Sequence, residues 1–94
     1  MRFKVGDICR WVNDGGDRFK TRIRIDKIEN DRVYYTYIED SSLGLLGNSI
    51  IRDLKDFNVI IVRTRVANTE LSRFMYPDAQ VEGDYLLVEV EYDS

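Results

Sequence analysis

The stretch whose reading decides the fold is Phe19-Lys20-Thr21-Arg22-Ile23-Arg24-Ile25-Asp26-Lys27-Ile28-Glu29-Asn30-Asp31-Arg32-Val33-Tyr34-Tyr35-Thr36-Tyr37-Ile38. Its first part alternates: Phe19, Thr21, Ile23 and Ile25 on one side, Lys20, Arg22 and Arg24 on the other, which is the period of a half-buried strand. Ile28 falls out of phase. The run Val33 to Ile38 is β-branched or aromatic throughout, and Asn30-Asp31 suits a tight turn before it. If Ile28 pairs with Val33, a bulge near Asp26-Lys27 lets Ile25 face Tyr35 and Ile23 face Tyr37. The expected hairpin then has an inner face of Ile23, Ile25, Ile28, Val33, Tyr35 and Tyr37. Its outer face is Lys20, Arg22, Arg24, Tyr34, Thr36 and Ile38.

Working outward, Ile8 to Val12 reads as a strand closed by the turn cluster Asn13-Asp14-Gly15-Gly16-Asp17. Glu39 to Ser49 reads as a loop, in which Leu43, Leu45 and Leu46 need a cover and Gly44 and Gly47 give freedom to bend. Ile50 to Phe57 reads as a single turn and Val59 to Val62 as a buried strand. Beyond it, Asn68-Thr69-Glu70-Leu71 predicts the start of a short helix through Phe74 and Met75, stopped by Pro77. A last strand covers Tyr85 to Asp93, where Glu89, Glu91 and Asp93 make one face acidic. The fold expected is all-β or β-dominated, one domain over residues 1–94. A small barrel of about five strands fills 1–63, and a helix and final strand extend it over 64–94.

Composition narrows the function. The 94 residues are 44% hydrophobic and 33% charged, as in a globular domain. Net charge is −3, but residues 1–27 hold eight Lys or Arg against four Asp, and residues 28–94 hold six against thirteen acids. That polarity predicts two electrostatic faces, or two segments that attract each other, rather than a uniformly basic nucleic-acid binder. There is no histidine and one cysteine, Cys9. Histidine-based nucleophile pairs and metal sites are therefore excluded, as is an internal disulfide. Asn13 to Asp17 lacks the spacing of a calcium loop and reads as a plain turn. No enzyme activity, metal or cofactor is expected, the carboxylates being left as the sole candidates for chemistry. The first residues lack the apolar core of a signal peptide and no run is long enough to span a membrane, so the expected location is cytoplasmic.

The outer hairpin face is the first candidate site. Lys20, Arg22 and Arg24 supply positive charge beside Tyr34, with Arg18 and Trp11 adjoining, a mixture suited to a phosphate-bearing ligand such as a nucleotide or nucleic acid. Whether Trp11 points inward as a packing anchor or outward as a hot spot is open from the alternation. The alternative is a protein-binding module or inhibitor using Trp11, the leucine loop or the acidic last strand. Leu43, Leu45 and Leu46 are candidate partner or oligomer contacts, and a homo-oligomer is compatible with so small a core.

Phe3-Lys4-Val5-Gly6-Asp7-Ile8 leading into a strand, then the hairpin, a glycine-containing loop, a short turn and the strand at 58–62, together resemble an SH3-like small barrel of the KOW or Tudor-like kind over residues 1–63. The resemblance implies binding of peptides, nucleic acids or proteins rather than catalysis. In size and tyrosine-rich, acidic style the chain also resembles small phage-encoded proteins that bind host machinery or intercept defence signals. Residues 64–94 have no counterpart in a minimal barrel.

Overall fold

A computed structural model describes residues 3–13, 20–40 and 44–93, with side chains as far as Val90. Seven strands form one sheet: β1 (Ile8–Trp11), β2 (Arg22–Glu29), β3 (Arg32–Glu39), β4 (Ser49–Asp53), β5 (Val59–Ala67), β6 (Gln80–Glu82) and β7 (Tyr85–Asp93). A 3-10 turn, Leu54–Asp56, precedes β5, and α1, Glu70–Met75, follows it. The order is β4-β3-β2-β1-β5-β7-β6, and every neighbouring pair is antiparallel.

The hairpin has the register expected of it. Ile28 faces Val33, Ile25 faces Tyr35 and Ile23 faces Tyr37, with the ladder shifting between Ile25 and Lys27. Asn30 and Asp31 both take positive φ, 52° and 61°, as the two centres of a type I′ turn do. The inner face it creates is the core. Ile23, Ile25, Val33, Tyr35 and Tyr37 pack with Phe3, Cys9, Phe57, Val59 and Ile61. Phe57 sits between the Phe3 and Trp11 rings, at centroid distances of 5.1 and 5.4 Å.

Two expectations are corrected. The barrel is not closed: β4 and β6 are the two edges of the sheet. β5 pairs with β1 along one side and with β7 along the other, from Ile60 opposite Asp93 to Ala67 opposite Tyr85. Its second edge is therefore taken and unavailable to β4. The single turn expected over Ile50 to Phe57 is instead a strand followed by a shorter turn. Ser49 to Asp53 pair with Thr36 to Arg32, because the exposed edge of β3 offers backbone partners that a five-residue segment can use without burying any side chain. β6 is likewise additional to the strands expected.

The opening Val5-Gly6-Asp7 turn ties β1 to the rest of the sheet. Gly6 has φ +93° and donates its N–H to the Ile25 carbonyl at 2.8 Å. A Cβ there would lie 3.2 Å from the Arg65 side chain, so both conformation and space favour glycine. Asp7 is 1% exposed. Its carboxylate accepts hydrogen bonds from the Thr64 hydroxyl at 2.6 Å and the Lys4 N–H at 3.0 Å. A buried carboxylate is tolerable only with such partners.

Candidate interaction surface

The outer face of the hairpin is less basic than its alternation implies. The bulge that keeps Ile28 in the core also brings Asp26 beside Arg24, whose Nε lies 2.8 Å from Oδ1. The other Asp26 oxygen accepts from the Thr36 hydroxyl, which is 2.9 Å from that of Ser49. Lys27 lies 2.7 Å from Glu29 and 5.2 Å from the Tyr34 ring centroid. The hydrogen bond to Glu29 and its charge raise the Lys27 pKa. Arg22 donates to the Thr21 carbonyl at 2.9 Å. Lys20 is exposed at φ +47°, just before β2. The bulge was legible in the sequence; that it supplies the arginine with its own counter-ion follows from the same shift of phase.

Trp11 belongs to the opposite face. Its ring meets Tyr35 edge to face at 5.5 Å, its Nε1–H points to the Tyr37 hydroxyl at 3.4 Å, and the Arg52 guanidinium covers it at 4.6 Å. The structure thus separates Trp11 from Arg22, Arg24 and Tyr34. Beneath it the Tyr35 hydroxyl is buried, near Arg52 and Tyr37 but with no hydrogen bond of ordinary geometry among the described residues, and that burial pushes its pKa up against the pull of Arg52. Leu45 packs on the same core, its N–H bound to the Asp40 carboxylate, whereas Leu46 is 64% exposed. Of the two described leucines of this loop, one is therefore covered by the chain's own sheet. Arg18, Leu43 and residues 14–17 lie outside the described residues.

A further exposed apolar surface lies on α1. Thr69 caps α1, its side chain accepting from the Ser72 N–H at 3.1 Å, as expected from the sequence. The helix then buries no residue. Leu71, Phe74 and Met75, spaced i, i+3 and i+4, form one stripe and are 67, 84 and 57% exposed. The spacing was visible in the sequence; that no element among the described residues covers it was not. Val81 on β6 and Tyr85 at the start of β7 are also exposed, with Arg65 5.6 Å from the Tyr85 ring centroid. Between the end of α1 and β7 lies a cleft of ≈ 480 Å³, lined by Met75, Tyr76, Asp78, Leu87, Val88 and Glu89 among others.

The acidic last strand is central in the sheet over Tyr85 to Leu87, where β6 pairs with it, and open on that side beyond. Glu89 is exposed on this open part. No helix among the described residues is long and apolar enough to cross a membrane. Compared with protein-family models, curated proteins and solved structures, the chain finds no match.

Proposed function

We propose that this protein is a non-enzymatic protein-binding module that engages its partner through the arm formed by α1, β6 and the start of β7. The observation that carries this reading is the Leu71, Phe74 and Met75 stripe, presented to solvent on a helix that buries nothing. Contiguous exposed apolar surface of this kind marks interaction sites, and a large aromatic at its centre is the usual hot spot. The order of elements along residues 1–63, with the Val5-Gly6-Asp7 turn, the hairpin and the 3-10 turn before β5, supports the SH3-like likeness and hence a binding role.

The anionic-ligand reading of the hairpin face is less well supported. A phosphate there would have to displace Asp26 from Arg24 and compete with Glu29 for Lys27. The test is capture from lysate with the wild-type chain and with a Leu71→Ser/Phe74→Ser variant. A stoichiometric protein retained by the first and lost by the second is expected; identical capture by both would overturn the reading. In parallel, a thermal shift with a nucleotide that Arg24→Ala abolishes would return the site to the hairpin.

A further inference from the structure

We infer that the arm's partner is a basic polypeptide, one that places a lysine or arginine in the cleft beside an apolar contact with Phe74. This rests on the reading of the arm as a docking surface. Residues 68–90 contain five carboxylates, Glu70, Asp78, Glu82, Asp84 and Glu89, against a single cation, Arg73. Arg73 is held by the Asn68 side-chain oxygen at 3.1 Å. Glu82 has Arg65 3.9 Å away, but among the described residues Asp78, Asp84 and Glu89 make no ion pair.

Asp78 and Glu89 line the cleft, and Met75, Leu87 and Val88 supply its apolar wall. A long cationic side chain fits both: its methylenes lie along the wall while its charged end meets the carboxylates. The cleft's own cation, Arg63, stands opposite Glu89 in the β5–β7 ladder, but its ion pair is with Glu39 at 3.8 Å, which leaves the Glu89 carboxylate to a partner. A second copy of the chain is a poorer match, because Arg24 and Lys27 of its hairpin face already face Asp26 and Glu29.

The experiment uses the full chain and two short labelled peptides with the same leucine spacing, one with lysine and one with glutamate at every polar position. Fluorescence anisotropy should show the lysine peptide binding at least about tenfold tighter, with the preference falling as ionic strength rises from about 0.05 to about 0.3 M. Asp78→Asn/Glu89→Gln should weaken it about tenfold and Asp56→Asn should leave it unchanged. Equal affinity for the two peptides, or no effect of the double substitution, would overturn the inference. Loss of the captured partner on Leu71→Ser/Phe74→Ser would still uphold the docking surface. A concentration-dependent dimer in sedimentation that Phe74→Ser abolishes would assign the arm to a second copy and overturn the basic-partner inference.

Discussion

Removing the Asp7 carboxylate should be among the most damaging single changes to this fold. Asp7→Ala deletes the acceptor of two hydrogen bonds, from the Thr64 hydroxyl at 2.6 Å and the Lys4 N–H at 3.0 Å, and Thr64 is itself 7% exposed. A charge-assisted bond contributes about 1.5 to 3 kcal/mol, and the stranded backbone donor costs about 1 kcal/mol more, giving about 3 kcal/mol in all. The whole domain is expected to be stable by about 5 to 14 kcal/mol, so the change removes a large share. The midpoint should fall by about 12 to 24 °C. Urea unfolding of wild type, Asp7→Ala, Thr64→Val and the double variant closes a thermodynamic cycle. The single changes should couple by about 1.5 to 3 kcal/mol, since Thr64→Val leaves the carboxylate short of a partner. A cost under about 1 kcal/mol for Asp7→Ala, or additivity within about 0.5 kcal/mol, would refute the account of this turn.

Other expectations follow from single features. Cys9 is fully buried, and burial, reinforced by the nearby Asp7 charge, pushes its thiol up to about 12 from 9.0. The unfolded thiol loses its proton first, so stability present below pH 9 is lost as pH rises toward about 12. The slope approaches about 1.4 kcal/mol per pH unit, and Cys9→Ala should remove that share of the alkaline loss. A thiol reagent should leave Cys9 unmodified in the native protein and label it at the rate of unfolding. Gly6→Ala should cost about 1 to 3 kcal/mol in denaturant unfolding, from the positive φ and the close Arg65 side chain. Tyr35→Phe should be neutral or raise the midpoint slightly, because it removes a buried hydroxyl that makes no hydrogen bond of ordinary geometry among the described residues.

Local chemistry was enough to read the hairpin. Period-2 alternation, one phase error at Ile28 and a two-residue turn leave few registers that keep every apolar side chain inside, and a slip by one residue would expose them all. The helix was equally legible, since Thr69 supplies a cap and Pro77 a stop within reach of each other. The same information exposed the cations of the outer face. It left open whether anything neutralises them, although the bulge that reseats Ile28 also sends Asp26 to Arg24.

The edges were decided by tertiary structure. Whether the sheet closes depends on which strand takes the second side of β5, a choice between segments far apart in the chain that no local pattern encodes. β7 takes it, and the expected barrel stays open. β4 looked like part of a loop and a turn because none of its five residues is buried; it is a strand only because β3 offers it a ladder. The direction of Trp11 was equally undetermined, since either half of its strand's alternation could pack inward, and the Tyr35 and Phe57 rings settle it. By itself, then, the sequence determined a β-rich chain, its central hairpin and a capped helix with an apolar stripe, because these depend on neighbours a few residues apart. Only the tertiary structure decided that the sheet is open, that Trp11 lies on the core side and that, among the described residues, the stripe of α1 is left uncovered, because each depends on what distant segments do or do not bring against it.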